Sequence, residues 1–186
     1  MNDKTEPVVR AAVHDDEEAL MDLCCALHKE NGLFEMDDGM VRSMLHRAFN
    51  RQGAQIGVID GNGEIAAAIY ILISNFWYSR DNHLEELFNF VRPRYRKGKF
   101  AKSEYGTVLI EYAKRSSDEL KIPLVIGVIT NSRTAAKARL YMRKLGSPAG
   151  AFFIHGSKWS NQSPSFEWWH RHTQGGARGQ NRLKAG

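Results

Sequence analysis

Cysteine is nearly absent from this chain: two of 186 residues, and the two are neighbours, Cys24 and Cys25. A bridge between adjacent residues is strained, so a secreted disulfide framework is excluded and both read as reduced, packed thiols. Long apolar runs are missing too. The longest, residues 65–73, is broken at Ser74 and Asn75, far short of the ~18 residues that a membrane span requires. Residues 1–7 are polar and mixed in charge, with no apolar segment behind a basic start, so no secretory signal is supported and a cytoplasmic location is expected. The seven histidines lack metal-ligand spacing: His14, His28 and His46 fall in different elements, and His170 and His172 in the C-terminal tail. No metal is implied. Finally, one stretch lacks acid. Arg92, Arg94, Arg96, Lys97, Lys99 and Lys102 follow one another with no Asp or Glu between them, so they must meet solvent or an anion.

What is present is ordinary globular composition, 42% hydrophobic and 25% charged, at a length that suits one domain. We expect a flexible segment over 1–7, one domain over 8–155, and a polar basic tail over 156–186. That tail carries Lys158, Arg171, Arg178, Arg182 and Lys184 against Glu167 alone, +4 of the chain's net +5. Its aromatic island, Phe166, Trp168 and Trp169, marks a candidate last strand near 165–172.

Hydrophobic periodicity gives the order of elements. Residues 8–13 read as a strand. Asp15, with Glu18 three positions on, resembles a capping box opening a helix through Leu20, Leu23, Cys24 and Leu27, which Gly32 ends. A second helix carries Met40, Val41, Met44, Leu45 and Phe49. Residues 55–59 and 64–78 form an antiparallel hairpin around the turn Asp60-Gly61-Asn62-Gly63. Residues 83–91 are strand-like until Pro93, which has no amide hydrogen to donate. A helix then runs from about Val108 to Leu120, and the apolar run 122–130 reads as a doubly covered central strand. Asn131 opens a last helix that stops at Gly146, and 151–154 close as a short strand. The fold class predicted is α/β (α+β): a mixed, mostly antiparallel sheet of six to seven strands flanked by about four helices.

The acid-free stretch lies where a strand gives way to a helix, so backbone amides and the positive helix end can face one anion. A solvated loop and a nucleic-acid patch are the other readings of such a cluster. The order of elements favours the first, because the segment resembles motif A of the GCN5-related N-acetyltransferase (GNAT) superfamily. There a strand ending Val-x-Pro leads into an Arg/Gln-x-x-Gly-x-Gly/Ala turn. Here these are Val91-Arg92-Pro93 and Arg96-Lys97-Gly98-Lys99-Phe100-Ala101. Arg96 and Ala101 match, Lys99 stands where the family usually has its inner glycine, and Gly98 lies one residue early. The later strand, Asn131, and the Leu140-Tyr141 to Leu145-Gly146 helix end resemble motif B with longer spacing. The likeness covers residues 8–154.

The resemblance implies acetyl-CoA as co-substrate, its pyrophosphate held by Arg96, Lys97, Gly98, Lys99, Phe100 and Ala101, and its pantetheine amides by Asn131. Acyl transfer from a thioester requires a neutral amine, a stabilised oxyanion and a proton for the leaving thiolate. Glu85 is favoured as base over Glu86, directly or through water; the period of two puts the pair on opposite faces, so one alone faces a cleft. A backbone amide near Phe90 or Val91 would serve the oxyanion. Tyr141, protonated at neutral pH, is the candidate acid. The acceptor is an amine on a small molecule or a protein, unspecified by any signature. Two rivals stand beside this reading: a nucleic-acid-binding module using the loop and tail, and a CoA-binding fold without activity, for which Lys99 argues. A homodimer through edge strands stays open.

Overall fold

The structure, a computed structural model, describes residues 7–96, 104–128 and 134–150. The chain divides into two compact units, Met1–Gly127 and Val128–Gly186. In the first, the elements are β1 (Arg10–Ala11), a 3-10 turn His14–Asp16, α1 (Glu17–Asn31), α2 (Asp38–Phe49), β2 (Ala54–Asp60), β3 (Ile65–Asn75), β4 (Asn82–Val91), a 3-10 turn Pro93–Tyr95, α3 (Tyr105–Leu120) and β5 (Leu124–Val125). The second contributes α4 (Thr134–Leu145). The strands lie in chain order, β1-β2-β3-β4-β5, antiparallel except for the parallel pair β4–β5. This is the mixed, mostly antiparallel sheet read from the sequence, with five strands and four α-helices among the described residues.

Two apolar layers sandwich the sheet. On one face Leu20 and Leu23 of α1 and Leu45 and Ala48 of α2 pack on Ile56, Val58, Ala68, Tyr70, Phe88 and Phe90. On the other, Tyr105, Leu109 and Ala113 of α3 pack on Ala67, Ile69, Ile71 and Leu84. Both faces of β3 are therefore covered, and seven consecutive residues from Ile65 are buried. That is why this strand reads as an unbroken apolar run rather than an alternation.

Local signals explain most boundaries. Asp37 Oδ1 accepts from the Met40 amide at 2.9 Å and caps α2. Gly32 ends α1, but through close approach rather than a left-handed backbone: the His28 ring occupies the space where a Cβ would sit. The ring's Nε2 lies 2.6 Å from the Phe34 carbonyl oxygen. α3 ends at Lys121, whose φ of 56° is left-handed in a residue that is not glycine.

Several expectations need correction. The strand read over 8–13 shrinks to Arg10–Ala11, paired with Val58 and Gly57 of β2, with one further bond from the Ala12 amide to the Ile56 carbonyl at 2.9 Å. The N-cap position of α1 falls on Asp16, not Asp15, and its side chain bonds backwards: Oδ2 accepts from the Val13 amide at 2.9 Å, ahead of the 3-10 turn, and Arg10 holds both its oxygens at 2.7 and 2.8 Å. The hairpin's second strand stops at Asn75, leaving Phe76, Trp77 and Tyr78 exposed at the β3–β4 tip. The helix expected from Val108 starts at Tyr105. Of the run 122–130 only Leu124–Val125 is strand among the described residues, half-buried and paired on one side with β4. The strands expected over 151–154 and 165–172 lie outside the described residues.

Candidate functional site

β4 organises the candidate site, because its two edges are treated differently. Towards β3 it is paired along its whole length, from Asn75↔Asn82 to Ala67↔Val91. Between Tyr70↔Phe88 and Ile71↔Glu86 the register shifts, so Leu87 is an extra residue, a β-bulge that leaves its side chain 48% exposed. Towards β5 only Leu84↔Leu124 and Glu85↔Val125 pair. Beyond Glu85 that edge of β4 has no strand partner among the described residues.

The direction of the amides follows from one hydrogen bond. Arg92 N donates to the Ala66 carbonyl at 2.9 Å, which makes Arg92 and Ala66 a hydrogen-bonded pair. Antiparallel ladders alternate, so Phe90 is bonded to β3 in turn, while the N–H groups of Asn89 and Val91 point to the open edge. Of the two positions singled out for an oxyanion donor, Val91 therefore presents its amide outward and Phe90 does not. The Phe90 ring instead lies under the Arg96 guanidinium, 4.8 Å away.

Side chains alternate as well. Glu85, half-buried, stands opposite Leu72 on the α1–α2 face; Glu86, buried, stands opposite Ile71 on the α3 face. Asn89 shares the α3 face with its partner Ile69. It is only 8% exposed, and its Nδ2 has no hydrogen-bond partner.

The segment after β4 corrects the reading of its charge. Arg92 is buried; its Nε donates to the Ile65 carbonyl at 2.8 Å and its Nη2 lies 2.7 Å from Asp22 Oδ2. Glu64 Oε2 lies 3.4 Å from the same Nε, and Glu64 also pairs with Arg94. Arg96 Nη1 bonds both oxygens of Glu30 at 2.8 Å, with the two side chains only 14% and 18% exposed. All three arginines are therefore paired with acids of the chain itself, Arg92 and Arg96 largely buried and Arg94 still more than half exposed. Their counter-ions are remote in sequence, two on α1 and one beside the β2–β3 turn, where a linear charge count could not find them. Tyr95 fastens the segment further: its hydroxyl accepts from the Asn62 amide at 2.9 Å, and its ring fills the space a Cβ on Gly61 would need.

The remaining candidates fare unevenly. Lys97, Gly98, Lys99, Phe100, Ala101 and Asn131 lie outside the described residues. Tyr141 is buried on α4, in the second unit, with Lys137 Nζ 5.7 Å from its ring centroid. Burial pushes the Cys24 thiol up to about 11, so it stays protonated and packed, while Cys25 is exposed. Among the described residues no cluster of three or more His, Cys, Asp or Glu could hold a metal ion, and no helix is long and apolar enough to cross a membrane. Sequence reasoning missed the bulge, the outward amide of Asn89 and the acids Asp22, Glu30 and Glu64, none of which leaves a local signal.

No family model matches the sequence, and no curated protein does. The fold, by contrast, matches solved structures. A predicted acetyltransferase from Clostridium acetobutylicum, solved with acetyl-CoA, is 11% identical with a TM-score of 0.64, over 81% of this chain and 96% of that one. A ribosomal-protein-alanine N-acetyltransferase from Brucella melitensis biovar Abortus 2308 is 14% identical with a TM-score of 0.61, over 81% and 99%. A GNAT family acetyltransferase from Staphylococcus aureus is 14% identical with a TM-score of 0.55, over 81% and 99%. At these identities the likeness is one of fold.

Proposed function

Because this chain has the fold of the GNAT acetyltransferases, we propose that it is an N-acetyltransferase, moving an acetyl group from acetyl-CoA to a primary amine by direct attack in a ternary complex. The observation that carries this reading is the half-open β4. Its outer edge offers the amides of Asn89 and Val91 to an extended, carbonyl-bearing chain, as a missing strand would be met. A pantetheine arm is such a chain, so the residues present fit the co-substrate.

In this scheme Glu85, directly or through water, takes the proton from the amine. The amine nitrogen attacks the thioester carbonyl carbon, and the Val91 amide donates to the oxygen as it gains charge. The carbon–sulfur bond then breaks, and Tyr141 gives its proton to the thiolate. Lys97, Gly98, Lys99, Phe100 and Ala101 would cradle the pyrophosphate and Asn131 the pantetheine amides. Arg96 would join them only by leaving Glu30. Alignment of the two reactants supplies much of the rate, on the order of 7 kcal/mol or more.

The rival nucleic-acid reading loses three cations of the acid-free stretch to internal ion pairs, which weakens it. Calorimetric titration of the purified protein with acetyl-CoA tests the proposal. Saturable micromolar binding, followed by thiol release on addition of an amine, is expected. No binding, together with salt-dependent affinity for single-stranded RNA, would overturn it.

A further inference from the structure

Asn89 is the described side chain whose position the fold does not explain. It sits in the apolar layer between β4 and α3, opposite Ile69, where leucine or valine would pack without a polar atom to satisfy. Instead its Nδ2 is buried and makes no hydrogen bond. Native proteins seldom leave a buried donor unmet, because its lost hydration is returned by nothing. A second, independent observation concerns the same residue. Its backbone N–H points to the open edge of β4, past the last residues that pair with β5. One residue thus carries two donors without a strand or side-chain partner, the main-chain N–H in the plane of the sheet at the open edge and the side-chain Nδ2 on the adjoining α3 face.

We propose that Asn89 is a binding residue for the acyl donor, its Nδ2 donating to a carbonyl oxygen of the acylated chain that lies along β4. The inference rests on the acetyltransferase reading and deepens it. Two carbonyls share the required chemistry, the thioester carbonyl and an amide carbonyl of the pantetheine arm. The Val91 amide, two residues further on along the same edge, is left for the other carbonyl or for the oxyanion.

The test is Asn89→Leu, similar in size and without a donor, compared with the parent protein in thermal unfolding and in titrations with acetyl-CoA and with CoA. Without ligand, the variant should unfold at the same temperature as the parent or higher, since an unmet donor has gone. Its affinity for acetyl-CoA should fall about five- to tenfold, the size of one good hydrogen bond. An equal fall for CoA assigns the bond to a pantetheine amide, and a fall for acetyl-CoA alone assigns it to the thioester. Unchanged affinity for both ligands overturns the inference and leaves the acetyltransferase reading standing. Absence of binding by the parent itself overturns both. Should Asn89→Leu not fold, Asn89→Ala removes the same donor with less volume and carries the same expectations for binding, with some stability lost to the cavity.

Discussion

Replacing Glu30 by glutamine removes the internal counter-ion of Arg96 while keeping the shape of the side chain. In the parent, one guanidinium nitrogen bonds both carboxylate oxygens at 2.8 Å, and neither side chain is more than a fifth exposed, so solvent screens the pair little. Hydrogen bonds to charged groups contribute about 1.5–3 kcal/mol, and glutamine keeps one neutral acceptor, so Glu30→Gln should lower stability by roughly 1–2 kcal/mol. The effect on ligand binding has the opposite sign. A pyrophosphate that engages Arg96 must first displace Glu30, and removing that competitor should tighten CoA binding by about 1 kcal/mol, close to fivefold. Urea unfolding reads the first quantity and calorimetric titration with CoA the second. Glu35→Gln, which makes the same charge change at an exposed position, serves as control for long-range field effects. If Glu30→Gln binds CoA no more tightly than the parent, or only as tightly as Glu35→Gln, then Arg96 is a strut between α1 and the segment after β4, not a phosphate ligand held in reserve.

Lys121→Gly should stabilise the protein by about 0.5–1 kcal/mol, because the left-handed residue closing α3 then carries no Cβ; a higher urea midpoint at unchanged slope is the expected result. The Asp16 carboxylate is held below its ordinary range, chiefly by the Arg10 hydrogen bonds and also by the Val13 amide. A depressed folded-state value means that the stability it contributes is present above the unfolded value near 3.9 and is lost as pH falls through the folded one. Asp16→Asn should therefore be less stable than the parent at pH 7, and the difference should narrow below about pH 4; a constant difference across that window would refute the assignment.

Much of the fold was legible because its signals are local. The β2–β3 hairpin follows from its turn residues, and α1 and α2 from apolar spacing within about fifteen positions. The opposite faces of Glu85 and Glu86 followed from adjacency alone, which no bulge further along β4 can disturb. What escaped depends on distance in sequence. The pairing of Arg92 with Asp22 and Glu64, and of Arg96 with Glu30, is decided by how α1 and the β2–β3 turn fall across the segment after β4. The shortness of β5, two residues where nine were read, escaped for the same reason, since hydrophobicity reports that a segment is covered but not by what. Leu87 gives no hint of being the bulged residue: it is another apolar side chain in a strand of them, and only the register with β3 distinguishes it.

The extra residue at Leu87 changes the parity of β4. Before it, even-numbered positions such as Leu84 and Glu86 look towards α3; after it, even-numbered Phe88 and Phe90 look towards α1 and α2. Each half thus keeps its own frame, and the strand behaves as two short messages read in different phases. Deleting Val91 while Arg92 keeps its bond to Ala66 would absorb the bulge and exchange the faces, setting Asn89 among the α1–α2 apolar side chains and driving Phe88 and Phe90 into α3. The number of residues after the bulge is consequently as much a constraint as their identity, because the length of that half decides which face each side chain of β4 meets.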